Sequence, residues 1–190
     1  MKANSLQELY VDELKDLYDA ENQIIKALPK MIDAASSEEL QSALSEHLEI
    51  TREQARRIEQ IFETMGEKLK AEKCKGMEGL IKEGSDIISE DMDENVKDAA
   101  IISAAQKVEH YEMAGYGTVR TWAGLLGQDE AEELLQQTLD EEKEADEKLN
   151  GLAEQINVQA EAGGSEEAEE ERASTQRRPK KTASRSRRVA

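Results

Sequence analysis

The sequence predicts an all-α protein: a four-helix bundle with a long crossover, carrying short helices, between its second and third long helices. Apolar residues recur at helical spacing through four long segments. Only 3% of the residues are aromatic and two are proline, so the core must be built from Leu, Ile, Ala, Val and Met, a mix that suits helices better than sheets. Gly66 and Gly127 stand where periodic segments stop. A chain of 190 residues suits one domain with a proper core. The expected division is a bundle over residues 1–160 and a disordered tail, acidic then basic, over residues 161–190.

The first helix is expected from Ser5 to Ala35, with Tyr10, Leu14, Leu17, Ile24, Ile25, Leu28 and Ile32 along one face. Ser5 with Glu8 reads as a capping box, and Pro29 inside the segment predicts a kink. The second is expected from Ser37 to Met65, its stripe running through Leu40, Leu44, Leu48, Ala55, Ile58 and Phe62, with Gly66 as C-cap. Glycines at 76, 79 and 84 punctuate the stretch from Glu67 to Asn95, which reads as a connection holding one or two short helices. An alanine-rich third helix follows, from Asn95 to Leu126, and a fourth from Asp129 to Val158. Helix, short turn, helix, long crossover, helix, short turn, helix is the connectivity of ferritin-like bundles.

Charge excludes several roles. The formal net charge is −18, yet residues 161–171 hold six acids and no base while residues 172–190 hold eight bases and no acid. The first 160 residues are therefore more acidic than the whole, and such a body repels nucleic acid and anionic lipid. The basic arm, with Arg177, Arg178, Lys180, Lys181, Arg185, Arg187 and Arg188, could reach DNA or RNA. Lacking aromatics and lying beside an acidic run, it is expected instead to fold back on the acidic body. No apolar run reaches membrane-spanning length, and Cys74 is the single cysteine, which rules out a disulfide framework. A cytoplasmic protein is the expectation.

The functional signal lies in carboxylates set within apolar stripes. Glu21 falls between Leu17 and Ile25; Glu109, Glu112 and Tyr116 share a face with Ile102 and Ala105; Glu142 and Asp146 lie between Leu135 and Leu149. Buried anions need partners, and acids converging from three helices would repel one another without cations among them. Lys107 and Lys143 point off these stripes, so a pair of metal ions is the economical answer. Glu109 and Glu112, at i and i+3, can bridge one ion and chelate another. On the second helix Glu49 points away and Arg52 follows it; His47, Thr51 and Gln54 are the inward polar residues. His47 is the expected nitrogen ligand, with Gln54, His110 and Tyr116 around the ligands. Taken singly, each residue has a structural reading: Glu21 as a salt-bridged residue, His47 as a satisfied core histidine, Glu142 as part of a solvated acidic run. Their common depth on four helices favours metal.

The block Ala104-Ala105-Gln106-Lys107-Val108-Glu109-His110-Tyr111-Glu112 resembles the YciE/YciF-type ferritin-like family of stress-associated proteins. So do Leu17-Tyr18-Asp19-Ala20-Glu21-Asn22-Gln23, His47-Leu48-Glu49 with Thr51, Cys74-Lys75-Gly76-Met77-Glu78-Gly79-Leu80, and Glu141-Glu142-Lys143 with Asp146 and Leu149. The resemblance spans residues 4–157 and leaves the tail outside. It implies a ferritin-like bundle, a homodimer, and a site for two iron or manganese ions held by Glu21, His47, Glu109, Glu112, Glu142 and Asp146. The expected activity is metal-dependent peroxide or oxygen chemistry; the alternative is a non-catalytic stress-associated helical protein with structural metal or none.

Overall fold

The structure, a computed structural model, describes residues 3–176, with side chains through residue 163. Among the described residues there are five helices and no strand: α1 (Leu6–Ala34), α2 (Glu38–Met65), α3 (Lys75–Ser89), α4 (Glu94–Leu125) and α5 (Asp129–Gln176). The described residues form helices and their connections, as the periodicity predicts.

Local chemistry sets the helix ends. The Ser5 hydroxyl accepts the Glu8 amide at 3.1 Å, while the Glu8 carboxylate reaches back to the Asn4 amide at 2.6 Å. The Ser37 hydroxyl caps α2. Gly66 closes α2 at φ 68°, in the left-handed region that costs glycine nothing. The segment from Glu67 to Asn95 holds one helix, and the Cys74 thiol caps it, accepting the Met77 amide at 3.3 Å. From the sequence Cys74 reads as a packing or exposed residue without chemistry; its thiol is buried and serves as a helix cap.

Cross-helix hydrogen bonds give the helix directions. Tyr18 reaches Glu59 between α1 and α2, and Arg120 reaches Gln136 while Gln106 reaches Asn150 between α4 and α5. Each pair is antiparallel, since the early end of one helix meets the late end of the other. Lys148 with Glu46 and Gln60 with Glu130 set α2 antiparallel to α5. Asp98 with the Ser36 and Ser37 amides, and Tyr111 with Asp16, do the same for α1 and α4. α3 lies against α1 and α4. α4 is flanked by α1, α3 and α5, which explains why alanine and glycine spread around it rather than forming a one-sided stripe. At Gly115 a β-carbon would stand 2.7 Å from Leu17, so the glycine permits the close approach of α4 to α1.

The apolar interior is split in two. One cluster gathers Ile24, Leu28, Leu40, Leu44, Ile102, Ala105 and Leu149; the other gathers Tyr10, Leu14, Leu17, Ile58, Phe62, Val119 and Leu135. Buried polar residues lie between them: Glu21, His47, Thr51, Gln54, Glu109, Glu112, Thr138 and Glu142. On every one of the four long helices, the polar positions fall between the two apolar sets.

One boundary differs from expectation. The apolar stripe of the last segment stops near Val158, but α5 continues through Gly163 and Gly164 to Gln176, where the sequence predicts a disordered start to the tail. Glu and Ala dominate that stretch, and their helix propensity offsets a glycine penalty of about 1 kcal/mol per residue. The basic arm from Arg177 onward lies outside the described residues.

Candidate metal centre

The polar layer converges on one point. His47 of α2, Glu109 and Glu112 of α4 and Glu142 of α5 each bring a ligand-type atom to within 4.8 Å of all the others. Glu21 of α1 is buried beside this group rather than within it: burial first, then the charge of Glu142, pushes its carboxyl up. Glu21, Glu112 and Glu142 have no exposed surface, Glu109 is 2% exposed and His47 is 7% exposed. The i, i+3 spacing of Glu109 and Glu112 puts both carboxyls on the inward face of α4, as the sequence predicts.

Few protein groups satisfy these acids. Both oxygens of Glu112, one each of Glu21, Glu109 and Glu142, and both ring nitrogens of His47 are buried without a hydrogen-bond partner. His47 Nε2 lies 3.4 Å from Glu109 Oε1, close enough for charge attraction but without hydrogen-bond alignment. Burial raises the Glu21, Glu109 and Glu112 carboxyls well above the ordinary carboxylate range, and repulsion from neighbouring acids, Glu142 among them in each case, adds to it. Without a cation, burial and mutual repulsion favour the protonated forms of these carboxyls.

Two neighbours orient the buried acids. The Tyr116 hydroxyl donates to Glu21 Oε1, and the Gln54 amide donates to Glu142 Oε1. Burial, then the charges of Glu21 and Glu112, pushes the Tyr116 hydroxyl well above its usual range, so it stays a donor. The Thr51 hydroxyl donates to the His47 carbonyl at 2.7 Å and so takes no part in the ligand set. Sequence reading missed Arg57. Its guanidinium grips Glu141 at 2.5 and 2.7 Å and donates to Thr138 at 3.0 Å. The signal was present, since Arg57 lies three residues past Gln54, but a search for acids passes over a base.

The remaining candidates lie farther out. Asp146 is half-buried, accepts from Asn150 at 3.1 Å and adds its charge to Glu109. His110, whose side chain is 67% exposed, sits at the surface with Nε2 3.4 Å from Asp146 Oδ1, so it approaches that carboxylate and not the buried cluster. Glu49 pairs outward with Arg52, and Lys107 and Lys143 pair with Glu83 and Asp140 at the exposed surface, as the helical spacing predicts.

Comparison with known proteins places the chain. Residues 5–162 match the family described as Domain of unknown function (DUF892). Protein YciF of Escherichia coli strain K12 is 45% identical over 163 residues, covering 85% of this chain and 98% of that one. The crystal structure of the E. coli stress protein YciF superposes with a TM-score of 0.80 at 44% identity, covering 82% of this chain and 99% of that chain. YcfI of Rhodopseudomonas palustris gives a TM-score of 0.75 at 45% identity, covering 77% and 94%. Over most of its length, then, the chain is a member of the DUF892 family and a relative of YciF, as its sequence blocks imply.

Proposed function

We propose that the chain is a ferritin-like four-helix protein that holds two iron or manganese ions in its polar layer and uses them for peroxide or oxygen chemistry under stress. The observation that carries this reading is the set of unpartnered oxygens and imidazole nitrogens of Glu21, His47, Glu109, Glu112 and Glu142 in the middle of the core. The donors fit the ions. Carboxylate oxygen with one imidazole suits iron and manganese, and the absence of thiolate from the cluster disfavours softer metals. Glu109, Glu112, Glu142, Glu21 and His47 would hold the pair, with Asp146 at its outer side. When bound, such ions supply one-electron redox steps and polarise a coordinated oxygen. The chain's own residues do the rest. Tyr116 and Gln54 hold one oxygen of Glu21 and of Glu142, leaving the other free to turn toward a ligand. The two apolar clusters exclude water from above and below.

The fold supports the same reading. α1 is antiparallel to α2 and α4, and α2 to α5, so α2 and α4 run in the same direction. A segment joining two parallel helices must return the length of the pair, as the crossover of a ferritin-like bundle does, and this supports the reading. The stress context comes from the E. coli relative, described as a stress protein.

One observation favours a second reading, a non-catalytic stress-associated helical protein with structural metal or none. α2 brings a histidine to the cluster but no carboxylate, since Glu49 faces solvent with Arg52. A single experiment separates the two. The full chain is loaded anaerobically with Fe(II) or Mn(II), assayed for metal content, and given hydrogen peroxide, alongside Glu109→Ala. Two ions per chain and peroxide consumption, both lost in Glu109→Ala, support the proposal. Metal without consumption supports a non-catalytic protein with structural metal, and no metal at all ends the proposal and leaves the non-catalytic protein with none.

A further inference from the structure

The helices α2 and α5 part around a cavity of about 290 Å³. Its walls are apolar: Ala43, Leu44 and Ile50 from α2, Ala145 and Leu149 from α5. His47 and Glu109, both buried, close its inner end. Glu46, Glu144 and Lys148, all exposed, stand at its mouth with half-buried Glu141. The cleft thus runs from solvent to the candidate metal centre.

Size, polarity and charge each limit what could occupy it. Liquid water takes about 30 Å³ per molecule, so the space equals roughly ten waters, far more than dioxygen or hydrogen peroxide needs. It matches the small end of ligand pockets. Apolar walls offer nothing to an ion. At the mouth Lys148 is paired with Glu46, and Glu141 with Arg57, so the local cations are already neutralised while Glu144 and the −18 net charge oppose anions. His47, nine-tenths buried, presents Nδ1 and Nε2 with no hydrogen-bond partner, ready to receive an oxygen-bearing head.

We infer that this cleft binds a small neutral organic hydroperoxide, its apolar body against Leu44, Ile50 and Leu149 and its peroxide group at His47 and Glu109. The choice of a hydroperoxide rests on the metal reading above; the shape and charge of the cleft do not. Reduction breaks the O–O bond and consumes two electrons and two protons, giving an alcohol and water. The two metal ions that Glu21, His47, Glu109, Glu112 and Glu142 would hold would supply the two electrons, and two external thiols, oxidised together to one disulfide, would return two electrons and two protons.

The test uses the full chain, metal-free, followed by amide NMR. The probe is 2-phenyl-2-propanol, the unreactive alcohol counterpart of cumene hydroperoxide, with benzoate as an anion of similar size. The alcohol should shift the amides of Ala43, Leu44, Ile50, Ala145 and Leu149, and benzoate should not. Ala145→Phe fills the cleft and should abolish those shifts while still taking up wild-type metal. Ala43→Leu narrows the cleft from the other wall and serves as the second variant if the first fails to fold. Absent shifts, equal shifts with benzoate, or shifts that persist in a folded filled-cleft variant overturn the proposal. Elemental analysis of loaded samples separates the failures. Metal uptake without alcohol binding ends the cleft proposal and leaves the metal site standing. Alcohol binding without metal uptake overturns the hydroperoxide assignment.

Discussion

Glu141 and Glu142 are neighbours on α5 and have opposite surroundings. Glu141 receives two hydrogen bonds from Arg57 and others from Gln54 and Gln137. Burial alone would raise its carboxyl, but Arg57 and the two glutamines bring it below the ordinary range. Glu142, one residue on, turns inward to Glu109, Glu112 and His47 and receives a single side-chain hydrogen bond, from Gln54. Asp98 repeats the contrast at the end of the molecule. It is 2% exposed, yet both oxygens accept backbone amides, from Ser36 and Ser37 at 2.8 Å each, so it ties the α1–α2 turn to α4. A buried acid with its donors supplied is a structural part. One left facing other acids is a site that stability alone does not explain.

The largest expected effect concerns metal. Ions that bind the folded chain alone stabilise it by about 4 kcal/mol per site at a thousandfold excess over Kd. Thermal melts of the full chain should rise strongly with Fe(II) or Mn(II), and Glu112→Ala should abolish the rise. A melt of Glu112→Ala that climbs as much as wild type would break the contrast between the two kinds of acid.

Next in size is a dependence on pH. Glu21, Glu109 and Glu112 are held above 4.5 in the folded protein, chiefly by burial, while the unfolded chain loses these protons near 4.5. Above that value the folded state binds more protons than the unfolded one, so stability falls as pH rises. The metal-free Tm should therefore drop as pH rises above about 4.5, and bound metal should remove the drop. By the same reasoning Glu112→Leu should stabilise the metal-free protein at neutral pH by about 1–4 kcal/mol while destroying metal uptake, as urea titration would show. Asp98→Ala should do the reverse. It strands two amides, costs about 2–4 kcal/mol and leaves metal content unchanged.

The inward acids were legible because helical spacing interleaves them with core residues. Glu21 follows Leu17, and Glu109 and Glu112 follow Ala105, so their depth can be read from the stripe. His47 was legible for the same reason. Partners brought by tertiary contact were not. Nothing near Asp98 in sequence announces the Ser36 and Ser37 amides, and nothing near Cys74 announces Tyr111, whose hydroxyl lies 3.0 Å from the thiol and also donates to Asp16. The end of α5 was misread because Gly163 and Gly164 suggest a stop, whereas the flanking Glu and Ala residues sustain the helix. The smallest expected effect tests that unread region. Cys74→Ala removes the α3 cap and should cost about 1 kcal/mol in a denaturant melt, with Cys74→Ser recovering most of it.

The most direct measurement is anomalous diffraction from crystals of the full chain grown with Mn(II) or Fe(II). Two strong peaks enclosed by Glu21, His47, Glu109, Glu112 and Glu142, with the carboxylates turned toward them, are expected. Peaks confined to surface acids such as Glu144, with the inner carboxylates unmoved, would contradict the two-metal reading.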